Sequence, residues 1–375
     1  MAEMGITRLA DVTGLDCIGL PVFMAVRPNS RGISVAQGKG LTRDAAMASA
    51  LMEAVESWHC ERAGVPLVYD SYAALSRRAR TIDATRLPVV RGAVFEPNSP
   101  LLWAEATALV TGESVWVPFE CISTNFVKPQ RAGVTFIAGT NGLASGNHRL
   151  EAIVHGLCEL IERDAHALWL ARGGSKQVGT QLDLSTVRDG GVQDLLSRLS
   201  AAAVLVAVWD ITADTGVPAF YCEIVDDPHT PRWAAIGVSG GTGCHLDAMV
   251  ALLRAVTEAV QSRLTHISGS RDDMFHYETT ANLDDVRATA ELAQRPADKA
   301  FSGVDLSNKT FEDDVASLCA ALAQIGIDSV AVVDLTRSEI GIPVVKVVAE
   351  GLETDPEDPS YSAGGRVLAA TGGGT

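Results

Sequence analysis

No two of the seven cysteines (17, 60, 121, 158, 222, 244, 319) are spaced as C-x-x-C. That spacing is a common mark of a cysteine zinc site, so none is indicated. An odd, scattered set also speaks against a disulfide framework, and the expected setting is a reducing cytoplasm. Long apolar runs are missing as well. Nowhere do about 18 consecutive apolar residues occur, the length of a membrane-spanning helix. The opening MAEMGITRLADVTGLD has no basic stretch leading into an apolar one, so no targeting segment is expected. Basic residues are few: 30 Lys and Arg face 46 Asp and Glu, a formal net charge of −16. Such a surface does not displace counterions from nucleic acid and is repelled by anionic membranes, so neither is an expected partner. G-x4-G-K-[ST] is absent, which excludes a P-loop.

What remains is a globular composition. Of 375 residues, 47% are hydrophobic and 20% charged, enough for a sizeable core. Strand-like and helix-like stretches alternate. VFMAV, ISVAQ, AAVLVAVWDIT, PAFYCEIV, RWAAIGVS, SVAVVDLT and PVVKVVAE read as strands, and LLWAEATALVTGESVWVPFECIS as two strands around a TGES turn. LTRDAAMASALMEAVESWHCERA, HRLEAIVHGLCELIERDAHALWLA, LDAMVALLRAVTEAVQSRL and FEDDVASLCAALAQIG read as helices, the first with Thr42 as N-cap. Residues 267–310 are polar with weak periodicity. The expected class is α/β (α+β), sheets with helices packed on them. One domain is expected over 1–375, with a core at about 15–345 and a flexible tail at 350–375.

The first long helix carries polar groups on an apolar body. Ser49, Glu53 and Glu56 are four and three residues apart. At about 100° per residue, they lie within roughly 40° of one line. The second helix repeats the pattern. Gly40 to Glu53 and Glu56 reads G-x12-E-x2-E, and so does Gly146 to Glu159 and Glu162. That helix adds Glu151 on nearly the same face, with His155 between, and Arg163 after Glu162. In the third, Arg254, Glu258 and Gln261 repeat the four-then-three spacing. A single such line is an ordinary solvated stripe. Three of them suggest helices converging on one site.

Clustered carboxylates repel one another and resist burial, and a hard cation resolves both problems. Carboxylates without a His or Cys pattern favour Mg2+, which commonly brings phosphates. Gly-rich loops ahead of helices offer N–H groups to the same phosphates, and Lys39 and Arg163 can cover remaining charge. The residues alone thus point to a Mg2+–nucleotide site.

GKGLTRDAAMASALMEAVE, NGLASGNHRLEAIVHGLCELIERDA and ALLRAVTEAVQSR resemble, in order, the three ATP-binding segments of the YcaO family. The resemblance runs from about residue 15 to about 345 and implies a YcaO-like fold with ATP and Mg2+ as cofactors. That family phosphorylates the oxygen of a peptide backbone amide. A nucleophile then adds to the carbon and phosphate leaves. Matched one by one, the resemblance implies metal ligation by Glu53, Glu56, Glu151, Glu159 and Glu162. Cofactor binding falls to Lys39, Ser49, Asn147, Glu258 and Gln261 together with those glutamates, Arg163 and Arg254 or Arg263. Glu162, Arg163 and Arg254 are the expected catalytic groups. Ala144 and His155 depart from the family pattern, where some members have serine and glutamine.

The start ITRLADVTGLDCIGLPVFMAVRPNSRGISVAQGKG is similar to members encoded beside a TfuA-like protein, which are associated with thioamide formation. Azoline-forming members typically finish in PxPxP, whereas this sequence finishes AGGRVLAATGGGT. The expected function is therefore thioamidation of a ribosomal peptide or a protein, with a TfuA-like protein delivering sulfur. Azoline formation on Cys, Ser or Thr is the alternative, and a nucleotide-binding scaffold without its own catalysis the second. A homodimer is left open.

Overall fold

The computed structural model describes residues 1–127, 134–230, 236–271 and 282–372. Strands β1 (Arg8–Asp11), β2 (Val22–Val26) and β3 (Val35–Lys39) precede the long helix α1 (Arg43–Cys60). Next come β4 (Leu67–Ser71), the short α2 (Tyr72–Leu75), β5 (Pro100–Ala108), β6 (Ser114–Pro118) and β7 (Leu143–Ser145), leading to α3 (Arg149–Ala171). β8 (Leu182–Asp183), α4 (Gly190–Ala201), β9 (Val204–Asp210), β10 (Ala219–Asp226) and β11 (Ser239–Cys244) lead to α5 (Ala248–Ser268). α6 (Leu283–Gln294), β12 (Lys299–Ala300), α7 (Phe311–Gln324), β13 (Val330–Asp334), β14 (Val344–Ala349) and α8 (Gly365–Ala370) follow. The chain forms two compact units, Met1–Ala54 with Gly173–Thr212 and Pro218–Leu306, and Val55–Arg172 with Ala213–Val217 and Ser307–Thr375.

In the first unit, β1, β2 and β3 pair antiparallel in that order, as do β9, β10 and β11. Two periodicities build its main core. Phe220, Cys222 and Ile224 alternate along β10, while Leu252, Val256 and Val260 recur at helical spacing on α5, and all six are buried. Asp247 caps α5 by accepting the Met249 N–H at 2.8 Å, and Gly269, at φ 55°, ends it.

Of the strand candidate RWAAIGVS, the first four residues lie outside the described residues, and β11 itself is SGGTGC. Its glycines let it press onto α5: a Cβ on Gly241 would stand 2.3 Å from the Ala259 nitrogen. Hydrophobicity carries no signal for contact of that kind. The polar 267–310 stretch likewise yields α6, with Asn282 as N-cap, and β12. Residues 272–281 of that stretch lie outside the described residues.

In the second unit the sheet order is β4-β5-β13-β14-β7, with β6 also on β5, and every pairing is antiparallel. β14 is buried along its whole length, Lys346 included. Described residues beyond 350 bond to one another and to α3. Glu353 accepts the N–H groups of Gly364 (2.8 Å) and Val367 (2.9 Å), and Arg366 donates to Asp164 at 2.8 and 2.9 Å. Asp164 is fully buried, so this anchor is charged on both sides and shielded from water.

Candidate active site

Three strand–helix units hold a helical glutamate in the same way. Each strand crosses the helix that follows it, and a backbone N–H of the strand side reaches a carboxylate sixteen or seventeen residues on. Gln37 N–H donates to Glu53 Oε2 at 3.3 Å, and Gly142 N–H to Glu159 Oε2 at 3.1 Å. Glu258 Oε1 takes the Thr242 hydroxyl at 3.3 Å and its N–H at 3.5 Å. Two of the three, Glu53 and Glu159, carry the G-x12-E spacing seen in the sequence, while thirteen residues before Glu258 stands His245. Gly38 shows the constraint: a Cβ there would meet the Ala50 nitrogen at 1.9 Å, so only glycine lets β3 lie on α1. Gly142 sits at φ +79° with its Cβ position 2.3 Å from the Val347 carbonyl, a turn that only glycine fills.

In the first unit, Lys39 Nζ lies 2.6 Å from Glu258 Oε2, and the Ser49 hydroxyl accepts the Lys39 N–H at 3.4 Å. Burial pushes Glu53 up to about 7 from the usual 4.5, against the opposing pull of Arg271 and Lys39. The Gln37 side chain is held by the Thr265 hydroxyl. Arg254 is partly exposed, with Nη1 3.4 Å from the Cys244 carbonyl, and Gln261 is also partly exposed on α5.

Arg263, expected among the cofactor contacts, is placed differently. It is 1% exposed, its Nε and Nη2 donate to Asp16 at 3.0 and 3.4 Å, and Nη2 stands 3.0 Å from Asp226. Ion pairs to two buried carboxylates make it an internal strut of the first unit. Of the two α5 arginines expected at the cofactor, Arg254 is the partly exposed one.

In the second unit, Ser145 donates to Glu56 Oε1 through its N–H (2.9 Å) and its hydroxyl (2.5 Å). Glu151 accepts the Asn147 N–H at 2.8 Å and its side-chain amide at 3.5 Å. Glu162 is buried and lies 4.0 Å from the Arg163 Nε, while Arg163 Nη1 pairs with Asp355 at 3.0 Å. Burial raises Glu159 to about 7; Arg163 opposes the rise and Glu162 adds to it. Glu159 and Arg163 line a cavity of about 200 Å³ with Cys121, Asn141 and Lys346. Burial holds the Lys346 ammonium below its usual range and pushes the Cys121 thiol up to about 12. His148 is taken up as the α3 N-cap, accepting the Leu150 N–H at 3.2 Å.

Sequence reasoning did not find Gln37, Thr242 or Ser145, nor the Arg163 partner Asp355 or Lys346. The first three act largely through backbone donors, which side-chain identity does not reveal; glycines beside them were the available signal. Among the described residues, no three His, Cys, Asp or Glu side chains are gathered as ligands of one metal ion. Glu53, Glu56, Glu151 and Glu159 each accept a backbone N–H. Hard carboxylate oxygens suit Mg2+, and Glu53 in the first unit and Glu159 in the second each hold a desolvated position where a divalent cation would restore the charged form.

The comparisons agree with this chemistry. An uncharacterized protein in the tfuA 3' region of Rhizobium leguminosarum bv. trifolii is 35% identical over 95% of this chain and 85% of its own length. An uncharacterized protein of Methanothermobacter thermautotrophicus is 37% identical over 96% and 92%. Among solved structures, YcaO from Methanopyrus kandleri, bound with AMPPCP and Mg2+, superposes with a TM-score of 0.71 at 21% identity, covering 96% of this chain and 90% of that one. A heterocyclase in complex with substrate and cofactor gives 0.72 at 23%, covering 93% and 50%. The family described as YcaO cyclodehydratase, ATP- and Mg2+-binding, matches residues 37–353, and the chain belongs to it.

Proposed function

We propose that this protein uses ATP and Mg2+ to activate a backbone amide of a peptide or protein and exchanges the amide oxygen for sulfur, with a TfuA-like protein delivering sulfide. The observation that carries the sulfur half of this reading is the relative in the tfuA 3' region, alike over nearly the whole chain.

An amide is a poor electrophile because its oxygen is a poor leaving group. In the proposed reaction the amide oxygen attacks the γ-phosphorus, ADP departs, and the nitrogen gives up its proton. Hydrosulfide adds to the resulting carbon, phosphate leaves with the former amide oxygen, and reprotonation of nitrogen gives the thioamide. Mg2+, when bound, offsets charge on the phosphates. Glu53, Glu56, Glu151, Glu159 and Glu162 are its proposed ligands, with Lys39, Ser49, Asn147, Glu258 and Gln261 on the nucleotide. Arg163 and Arg254 supply fixed positive charge to the transferring phosphoryl group, and positioning with electrostatics is most of what such chemistry requires. Asp355, paired with Arg163 Nη1 at 3.0 Å, orients that guanidinium, and Glu162, 4.0 Å from its Nε, would be one of the groups to hold the metal.

Azoline formation is the second reading, favoured by the cyclodehydratase description of the family. Mass spectrometry separates the two. Peptide incubated with the protein, ATP, Mg2+, sulfide and the TfuA-like partner should gain the mass difference between sulfur and oxygen. Loss of one water without sulfur would replace the thioamide reading by the azoline one. With heavy oxygen in the target amide, the label should appear in phosphate; unlabelled phosphate alongside product would overturn amide O-phosphorylation.

A further inference from the structure

Lys346 is 2% exposed on β14, which runs between β13 and β7. An ammonium in the middle of a sheet is costly to bury and persists only where it is well used. Its Nζ donates to the Gly139 carbonyl at 2.6 Å. Gly139 opens a turn that the Leu143 N–H closes on the Thr140 carbonyl at 2.7 Å. From the same strand, the Val347 N–H donates to the Gly142 carbonyl at 2.8 Å. β14 therefore grips both ends of the 139–142 turn, one with a side chain and the other with its backbone.

The turn has little slack on its far side. Gly156 of α3 faces it, and a Cβ there would stand 2.9 Å from the Gly142 carbonyl oxygen and 2.8 Å from a Val347 methyl. Held this way, the Gly142 N–H points at α3 and meets Glu159 Oε2 at 3.1 Å. Lys346 and Glu159 also line the same cavity of about 200 Å³.

We infer that Lys346 is a positioning residue for the Glu159 carboxylate, acting through the 139–142 turn. The inference rests on the proposed role of Glu159 as a Mg2+ ligand. Removing the ammonium frees the Gly139 end, lets the Gly142 N–H drift from its line to Oε2, and loosens the carboxylate. Groups that orient a metal-ligating carboxylate commonly change metal affinity by about 10-fold or more when removed.

The test uses the full chain as wild type, K346M, K346R and E159Q. Mn2+ is the probe, its free-ion magnetic resonance signal titrated in the presence of AMPPCP. K346M should bind Mn2+ about 10-fold more weakly at an unchanged melting temperature. K346R, which can still donate to Gly139, should recover most of the affinity. Hydrogen exchange of a peptide covering 139–145 should quicken in K346M and not in K346R. Where K346M does not fold, K346Q replaces it, since its shorter neutral amide stops short of the Gly139 carbonyl. If E159Q weakens Mn2+ binding while the folded Lys346 variant does not, the positioning role is overturned and the ligand role stands. If E159Q leaves Mn2+ binding unchanged, the ligand role fails and the positioning role with it.

Discussion

Replacing Glu159 by Gln should stabilise the metal-free protein at alkaline pH. The Gly142 N–H that donates to Oε2 at 3.1 Å finds an equivalent acceptor in a Gln carbonyl, so the substitution removes charge and little else. Burial raises the carboxyl from 4.5 to about 7. An acid whose value is higher in the folded state than in the unfolded one folds more readily protonated. Its penalty is absent below about pH 4.5, grows from there to about 7, and is complete above that. The displacement corresponds to about 3 kcal/mol at most. Residual solvent access to the side chain screens part of that. Urea unfolding of wild type and E159Q in the presence of chelator, near pH 4 and near pH 8.5, reads the effect. The two proteins should nearly coincide at the lower pH, and E159Q should be the more stable by about 1–3 kcal/mol at the higher. Adding Mg2+ and ATP at the higher pH should reverse the order, because a ligand bound only by the folded state stabilises the protein that binds it better. An E159Q protein no more stable than wild type near pH 8.5, or a difference equal at both pH values, would refute the reasoning.

Arg254→Met should weaken ATP binding several-fold with the melting temperature intact. Arg263→Met should instead destabilise by about 3–5 kcal/mol, because it strands Asp16 and Asp226 without their cation; calorimetry and nucleotide titration together distinguish the two. Gly38→Ala puts a methyl 1.9 Å from the Ala50 nitrogen and should cost about 3 kcal/mol or more, visible as loss of soluble protein or a lowered thermal midpoint. Arg366→Met leaves fully buried Asp164 without its guanidinium, so α8 should release and limited proteolysis should cut within 361–370 faster than in wild type.

The carboxylate helices were legible because helical periodicity puts Ser49, Glu53 and Glu56 on one line whatever surrounds them. Glu53, Glu159 and Glu258 recur at matching positions because each meets a backbone N–H sixteen or seventeen residues earlier, in or just ahead of the strand before its helix. Less was legible where backbone does the work. SGGTGC carries no hydrophobic alternation, yet it is β11, since close packing on α5 rewards the absence of side chains. Arg366 meets Asp164 across 202 residues of sequence, a contact that local composition does not announce.

The sequence by itself determined which helices carry the carboxylates, their order and spacing, and the resemblance that names ATP and Mg2+, since all of these follow from local periodicity and residue identity. Only the tertiary structure decided how the arginines divide. Arg254 and Arg263 share a helix and look equivalent in sequence, but Asp16 and Asp226, each far along the chain, bury one of them in ion pairs and leave the other partly exposed. The same is true of Lys346: a lone lysine in an apolar strand becomes meaningful only once folding brings the Gly139 carbonyl to its ammonium. Contacts between residues hundreds of positions apart depend on how the strands pair and the helices pack, and no local pattern encodes them.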